Sequence, residues 1–256
     1  MYIRRFFEHQ IKSDLNKGKI VILYGPRRVG KTTIAKQFLT GNAIYYDCDQ
    51  TEVRTSFSRH NLEHLRTLVG NYETVVIDEA QLVSGIGRTL KILIDAFPEK
   101  HFLVTGSSAL DLASSVSEPL TGRFLAHTLL PIGEVELSQE MNPIALVESR
   151  ELRLRFGSYP EILTATDLVD KERFVRNIAT TYLFKDILAV GGVRQPELLE
   201  KIVRAIGFQV GSEVSLTELG NLVESDKKTV ARYLELLEKT FVLFWLPPYR
   251  TNKRRS

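Results

Sequence analysis

The chain has little cysteine and no long apolar run. Cys48 is the single cysteine among 256 residues, which excludes an internal disulfide and a zinc cluster of several thiolates. Its longest apolar runs, IVILY and FVLFWL, have five and six residues. A membrane-spanning helix needs roughly twenty. The first residues mix charged and apolar side chains, unlike a signal peptide. We therefore expect a cytoplasmic protein that has no membrane partner.

The composition is that of an ordinary globular protein, but the charge is unevenly distributed. Apolar residues make up 43% of the chain and charged residues 25%, and the net charge is +3. Residues 226–256 contain eight basic and three acidic side chains, a local net charge of +5. The remaining 225 residues are therefore slightly acidic. A basic C-terminal segment favours an acidic partner there, such as nucleic acid.

Short β-rich runs alternate with helical patterns in the first half of the chain. The strand candidates are residues 19–25, 42–49, 74–80, 101–108 and 124–132. Four are almost continuously apolar, as is typical of strands buried on both faces of a parallel sheet. This alternation predicts an α/β fold, which we assign to residues 1–143.

Beyond about residue 145 the periodicity is only helical. We assign residues 144–194 to a helical linker or lid, with one helix in IALVESRELRLRFG, one in LVDKERFVRNIATTYLFKDILAV and a turn at GSYPE between them. Residues 195–256 begin with a third helix, at PELLEKIVRAIGFQV.

The last part of the chain predicts a winged helix-turn-helix. Two amphipathic helical patterns flank the turn ESD, where Asp226 or Ser225 can cap the second helix, and the strand candidate FVLFWL follows. Lys227, Lys228 and Arg232 lie opposite the apolar face of that second helix. They suit contact with DNA phosphates, although winged helices also serve as protein-interaction modules.

The segment GPRRVGKTT has the pattern of a phosphate-binding loop. Gly25, Gly30, Lys31 and Thr32 match G-x-x-x-x-G-K-[ST] between a predicted strand and a predicted helix. In such loops backbone amides surround the phosphates, the lysine neutralises them and the hydroxyl binds Mg²⁺. The side chains of Arg27 and Arg28 can face a partner or a carboxylate instead. The predicted nucleotide-binding residues are Gly25, Pro26, Arg27, Arg28, Val29, Gly30, Lys31, Thr32 and Thr33.

A pair of acidic residues ends the third predicted strand, TVVIDEA. Asp78 is placed to hold Mg²⁺ through water, and Glu79 to polarise an attacking water molecule. Such a pair favours hydrolysis over phosphate transfer to a substrate. The chain also lacks a complete N-K-x-D guanine-reading motif, so the expected nucleotide is ATP. At the end of the fourth predicted strand, VTGSSAL, Ser107 or Ser108 is a candidate to contact the attacking water or, alternatively, to cap a helix.

The motifs GPRRVGKTT, VVIDEAQ, VTGSSAL and LTGRF resemble a family of predicted prokaryotic ATPases of the AAA+ superfamily. The resemblance extends into the second half of the chain, at GSYPEIL, YLFKDIL and TVARYLELLEKTFVLFWLPPY, which in that family is a domain of unknown function. It implies a P-loop NTPase sheet in the order 5-1-4-3-2, with the fourth strand between the first and the third. It also implies that Lys31 and Thr32 are phosphate-loop residues, that Asp78 and Glu79 act on Mg²⁺ and water, and that Ser107 is the sensor.

Arg123 in LTGRF stands just before the fifth predicted strand. AAA+ proteins often carry an arginine finger there, which reaches the nucleotide of a neighbouring subunit in a homo-oligomer. The alternatives are a local ion pair or a role within the same subunit. Members of the resembled family continue past YRTNKRRS, so we expect the winged-helix segment of this chain to be incomplete.

These patterns favour an Mg²⁺-dependent ATPase whose nucleotide state is coupled to a winged-helix segment that contacts DNA or a protein. The alternative is a slow binding switch, in which ATP regulates contact with DNA or protein with little turnover. A small-molecule kinase is a third option, for which the sequence offers no recognisable substrate pocket.

Overall fold

The computed structural model describes residues 2–106, 120–183, 187 and 195–246. The chain divides into two compact units, Met1–Asp186 and Ile187–Ser256. The boundary between these units falls inside the segment 144–194, which the sequence assigns to a helical linker or lid. The three-part division of the chain stays a prediction.

A five-stranded parallel sheet forms the centre of the first unit. Its strands are β1 (Ile20–Tyr24), β2 (Ala43–Asp47), β3 (Thr74–Asp78), β4 (His101–Gly106) and β5 (Phe124–Thr128). Their order across the sheet is β2-β3-β4-β1-β5, which reads 5-1-4-3-2 from the opposite edge. All four pairings are parallel, so every strand ends at the same edge of the sheet.

Burial follows the position of each strand in the sheet. All five residues of β1 are buried, and β3 and β4 are buried except at their first residue. The outer strands β2 and β5 are only partly buried, because each has a neighbour on one side. Three of the four apolar runs that predicted two-sided burial are therefore the inner strands, and the fourth is an outer, partly buried strand.

Short helices surround the sheet and continue after it. Those of the first unit are α1 (Glu8–Leu15), α2 (Lys31–Gln37), α3 (Thr51–Phe57), α4 (Leu62–Val69), α5 (Ile86–Ala96), α6 (Glu134–Leu137), α7 (Pro143–Glu148), α8 (Arg150–Phe156), α9 (Pro160–Thr164) and α10 (Leu168–Asn177). A 3₁₀ turn covers Ala80–Leu82 and a π-helical turn Ile178–Leu183. Among the described residues, no helix combines the length and the apolar composition needed to cross a bilayer.

The helical region after the sheet differs from the sequence prediction in three places. The helix expected in residues 144–157 is divided at Ser149, whose hydroxyl donates to the Leu146 carbonyl and competes with the helical backbone. The turn expected at GSYPE instead starts α9, with Pro160 in its first turn, where proline is favoured. The long helix expected from residue 168 changes to a π-helical turn after Asn177.

Three helices form the described part of the second unit: α11 (Pro196–Gly207), α12 (Leu216–Leu222) and α13 (Lys227–Lys239). The predicted capping residue is confirmed, because the Asp226 carboxylate accepts from the backbone N–H groups of Lys228 and Thr229, both at 2.9 Å. The two predicted helices and the turn between them are therefore present.

The strand predicted in FVLFWL is wrong within the described part of the chain, where residues 241–246 are irregular. The backbone N–H groups of Val242 and Leu243 both donate to the Leu237 carbonyl, so the chain turns back at the end of α13. A strand also needs a partner strand, and the described residues of this unit provide none. Residues 247–256 lie outside the described ranges.

We expect Asp226→Ala to weaken α13, because two backbone N–H groups at its first turn lose their acceptor. The Thr229 side chain and then these backbone N–H groups lower the pKa of Asp226, so the stabilisation by the cap is present at neutral pH and is lost as the pH falls through the acidic range. Amide exchange of Lys228 and Thr229, followed by NMR, should be faster in Asp226→Ala and nearly unchanged in Asp226→Asn, which can still cap. Equal exchange rates in all three proteins would contradict this assignment.

Candidate functional site

The predicted phosphate loop leaves β1 through a backbone conformation that requires glycine. Gly25 has φ +147°, and a Cβ atom there would lie 2.0 Å from the Leu129 carbonyl oxygen. Leu129 cannot easily move away, because its N–H donates to the Tyr24 carbonyl at 2.7 Å. At the other end of the loop, Gly30 has φ +99° and immediately precedes α2. The loop therefore joins the carboxyl end of β1 to a helix N-terminus, where amide groups favour anions.

Lys31 lies inside this loop. Its side chain is almost fully buried, and its Nζ donates to the carbonyls of Gly25 at 2.8 Å and Pro26 at 2.7 Å. The loop thus holds an ammonium group next to its own amides. This concentration of positive charge and N–H donors suits the phosphates of a nucleotide.

Arg28 faces a carboxylate, which is one of the directions left open by the sequence. Its backbone has φ +63°, unusual for a residue other than glycine, and its Nη1 donates to Glu161 Oε2 in α9 at 2.5 Å. The pair is partly exposed, so its contribution to stability is small. Arg27 is half-buried beside it. The ion pair with Glu161 connects the side chain of Arg28 to the helical region that follows the sheet.

Asp78 brings three hydroxyl groups together at the end of β3. Its carboxylate is 2% exposed and accepts from Thr32 Oγ1 at 2.7 Å, from Tyr45 Oη at 2.6 Å and from Thr105 Oγ1. The predicted pair of Thr32 and Asp78 is therefore in direct contact. These two residues place a hydroxyl and a carboxylate oxygen beside the phosphate loop, which is the kind of ligand Mg²⁺ prefers.

Glu79 occupies a strained backbone position directly after Asp78. Its φ is +53°, in a region that residues with a Cβ rarely adopt and that is frequent at functional sites. Its N–H donates to Thr105 Oγ1 at 3.1 Å, and its Oε2 accepts from Gln81 Nε2 at 2.5 Å. Both the backbone and the carboxylate of Glu79 are therefore held in place.

Sequence reasoning missed Tyr45, Thr105 and Gln81. Tyr45 ends close to Asp78 because β2 pairs with β3 in a register that aligns Asp47 with Asp78. Burial and the hydrogen bond to Asp78 raise the pKa of Tyr45, so its hydroxyl stays protonated and remains a donor. Tyr45 and Thr105 lie inside the predicted strands 42–49 and 101–108, and Gln81 directly follows the predicted strand 74–80, so no motif in the sequence points to them.

Of the remaining predicted catalytic residues, the structure describes only Arg123. Ser107 and Ser108 lie outside the described residues. Arg123 precedes β5 at the opposite edge of the sheet, one strand length, or roughly 15 Å, from the loop. Its Nε donates to Asp95 at 2.8 Å. The local ion pair is therefore present, and a role for Arg123 at the nucleotide of its own subunit stays a prediction that this placement does not favour. Action on a neighbouring subunit stays a prediction.

A cavity of about 270 Å³ adjoins the phosphate loop. Gly30 and Thr33 form its loop side, and the side chains of Ile3, Ile132 and Pro160 contribute apolar surface. The cavity thus lies between the start of the chain, the phosphate loop and the segments after β5. It has room for a flat, partly apolar group next to the phosphate loop.

Comparison with known families matches two parts of the chain. Residues 17–137 match the family model described as an AAA domain. Residues 148–256 match a model described as a domain of unknown function, DUF8612. An uncharacterized protein of Mycobacterium tuberculosis is 29% identical over 264 residues, covering 99% of this chain and 56% of its own length. An uncharacterized protein of Haemophilus influenzae is 22% identical, with 90% of this chain and 62% of its own length covered.

The chain therefore spans about three fifths of the length of these curated relatives. Among solved structures, a Walker-type ATPase of Pyrococcus abyssi matches with a TM-score of 0.60 and 18% identity. That match covers 93% of this chain and 90% of the other. It establishes that the two chains share a fold.

We expect Gly25→Ala to destabilise the first unit by about 3 kcal/mol or more, because the new Cβ collides with the Leu129 backbone. Thermal or chemical unfolding measures the loss. Gly41→Ala is the matched control, since Gly41 also has a positive φ, of +67°, but has open space around it. Backbone strain alone should cost this control only about 1 kcal/mol. Equal losses in both variants would contradict the steric explanation.

Proposed function

Because the chain consists of an AAA domain followed by a domain of unknown function, we propose that it is an Mg²⁺-dependent ATPase. One observation carries this proposal: the loop lysine, a hydroxyl–carboxylate pair and a second, oriented carboxylate meet where the strands end. Lys31, Thr32, Asp78 and Glu79 supply these four groups. Because the chain spans only part of its curated relatives, the activity and partners of the whole protein are also part of this proposal.

The phosphate loop binds the anionic part of the nucleotide. Its amides and the N-terminus of α2 face the phosphates, and the Lys31 ammonium moves from the carbonyls of Gly25 and Pro26 to the phosphate oxygens. An ammonium that is already desolvated by the loop interacts strongly with such oxygens, because water does not screen it. The phosphate chain is thereby fixed for attack on the terminal phosphorus.

Thr32 and Asp78 fit an Mg²⁺ ion. The ion usually takes one or two protein oxygens and completes its octahedron with phosphates and water, and these two residues provide such oxygens 2.7 Å apart. When bound, the ion neutralises charge on the phosphates. Tyr45 and Thr105 hold the Asp78 carboxylate in its place at the end of β3.

Glu79 orients the water that attacks the terminal phosphate and accepts its proton. The hydrogen bond from Gln81 fixes the direction of the carboxylate, and Thr105 fixes the backbone from which it projects. The side chains that contact Glu79 among the described hydrogen bonds are Thr105 and Gln81. This arrangement favours water as the acceptor, and hence hydrolysis over transfer to a metabolite.

The cavity beside the loop is the proposed position of the adenine ring. The apolar surfaces of Ile3, Ile132 and Pro160 suit a flat aromatic base, and Gly30 and Thr33 connect the cavity to the phosphate site. The lack of a complete guanine-reading motif also favours ATP over GTP. We propose a homo-oligomer for one reason: Arg123 could then contact the nucleotide bound to a neighbouring subunit.

Turnover and binding assays on two variants test the proposal. We expect Lys31→Ala to lose about 100-fold or more in ATP affinity, because the buried ammonium no longer neutralises phosphate. We expect Glu79→Gln to bind ATP normally but to turn over about 100-fold more slowly or worse, because an amide cannot accept the proton of water.

The exposed residues Lys91 and Glu99 provide matched controls. Lys91→Ala and Glu99→Gln should retain ATP binding and phosphate release at the wild-type level. Phosphate release that needs no added Mg²⁺, or that is equal in all five proteins, would refute the ATPase assignment.

The second candidate function is a slow ATP-dependent binding switch that acts on DNA. It is favoured by one observation: Lys227, Lys228 and Arg232 are exposed along α13, and the two lysines form its first turn after a tight turn from α12. A helix N-terminus with adjacent lysines suits a phosphate backbone. With the strand in residues 241–246 not formed, this proposal rests on the helix pair alone.

DNA affinity across a salt series tests this second function. If α13 contacts the backbone, the slope of affinity against salt should be negative, and a Lys227→Ala/Lys228→Ala double variant should reduce it by about two phosphate contacts. A Lys201→Ala variant on α11 serves as the control and should leave the slope unchanged. A DNA affinity that does not depend on salt, with or without ATP, would show that the chain does not bind DNA through its phosphates.

A further inference from the structure

Arg5 is a buried arginine that nothing in the phosphate-loop motif calls for. Its side chain is 5% exposed and lies between three segments of the first unit. Its Nη1 donates to the Val29 carbonyl at 2.7 Å, its Nη2 to the Leu130 carbonyl at 2.5 Å, and its Nε to Glu136 Oε1 at 2.9 Å. One guanidinium therefore joins the start of the chain, the phosphate loop and the segment after β5.

We propose that Arg5 is a positioning residue for the phosphates, because it sets the orientation of the peptide group between Val29 and Gly30. This inference rests on the proposed ATPase function. It adds that a residue outside the phosphate loop determines the conformation of the loop. The contact that carries it is the hydrogen bond from Arg5 Nη1 to the Val29 carbonyl.

The peptide group explains how this contact acts. A trans peptide is planar, so its carbonyl oxygen and its N–H point in opposite directions. By holding the Val29 carbonyl on the outer side of the loop, Arg5 directs the Gly30 N–H to the other side. The Val29 side chain is fully buried, so the residue cannot rotate away without leaving the core. Gly30 itself, with φ +99°, has no side chain to hold its conformation.

Glu136 holds Arg5 in turn. Besides the Arg5 Nε, its carboxylate accepts from the backbone N–H groups of Phe6 and Gly133, each at 2.9 Å. Burial opposes its ionisation, but these hydrogen bonds together lower the pKa of Glu136, so it stays charged. The ion pair is buried and its partners are satisfied, which is the condition under which such a pair fixes a geometry.

The start of the chain is also fastened where it leads into α1. The Glu8 carboxylate accepts from the Arg5 backbone N–H at 2.6 Å and from the Tyr2 hydroxyl at 2.5 Å. The backbone of Arg5 is thus fixed independently of its side chain. Arg5 therefore approaches the loop from a rigid position, as positioning through a single contact requires.

The test compares ligands that carry different numbers of phosphates. Displacement of a fluorescent ATP analogue by adenosine, ADP and ATP gives three affinities for the wild type, for Arg5→Lys and for Arg4→Lys. Arg5→Lys keeps a positive charge for Glu136 but cannot reach three acceptors. Arg4 is exposed and is the matched control.

We expect Arg5→Lys to lose about tenfold or more in ATP affinity, less in ADP affinity and under about twofold in adenosine affinity, with Arg4→Lys unchanged. Amide exchange of Gly30 should also be faster in the ligand-free Arg5→Lys protein, while exchange in the strands stays as in the wild type.

Three other outcomes overturn the inference. Equal losses for adenosine and ATP would assign Arg5 to the adenine cavity or to general stability. Unchanged ATP affinity would show that the loop keeps its shape without Arg5. Failure of the wild type to bind ATP would refute the proposed function itself, and this inference with it. If Arg5→Lys does not fold, Glu136→Gln replaces it, with a smaller loss that must still grow with the number of phosphates.

Discussion

The parallel pairing of β4 with both β1 and β3 is the constraint on which the candidate site depends. It places Thr105 between the phosphate loop, which follows β1, and Asp78, which ends β3. Strands β1 and β3 are not neighbours in the sheet, because β4 lies between them. Without β4, the phosphate loop and the carboxylates of Asp78 and Glu79 would not lie side by side. The Thr105 hydroxyl is the chemical link, since it donates to Asp78 and accepts from the Glu79 N–H.

The buried charged residues Lys31, Asp78 and Glu136 of the first unit all have hydrogen-bond partners. Asp78 accepts hydrogen bonds from neutral hydroxyl groups, so its negative charge is available to a cation. Glu136 instead forms an ion pair with the Arg5 guanidinium, which compensates its charge. Lys31 has carbonyl partners, which a phosphate can displace. The difference in partners separates groups that can bind ligand from groups that maintain structure, because an unpaired buried charge costs several kcal/mol, on the order of the whole stability of the fold.

The sequence predicted the inner strands and the loop because those features are local. Continuous apolar runs marked β1, β3 and β4, and the spacing of Gly25, Gly30 and Lys31 is a property of nine consecutive residues. The Asp226 cap was predictable for the same reason. The strand expected in residues 241–246 failed because strand formation depends on a distant partner, which an apolar run does not reveal.

The supports of the site were not predictable for a related reason. Tyr45 reaches Asp78 only through the register of β2 against β3, and Arg5 reaches the loop from a segment with no motif of its own. Hydroxyl and guanidinium groups are common in any sequence, so their type alone carries little information. Arg123 shows the same limit, since the parallel direction of β5 beside β1, which the motif LTGRF does not reveal, places it at the end of the sheet away from the loop.

The separation of Arg5 from Glu136 has a consequence for biosynthesis. The two residues are 131 positions apart, so at about 5 to 20 residues per second Glu136 is translated roughly 7 to 26 s after Arg5. Over most of that interval β1, whose neighbours β4 and β5 come from residues 101–106 and 124–128, is an unpaired apolar strand in the nascent chain. Long-range contacts of this kind slow folding and leave the incomplete chain prone to aggregation. The ribosome-bound chain therefore gains its phosphate loop late, as the last contacts of the sheet close around it.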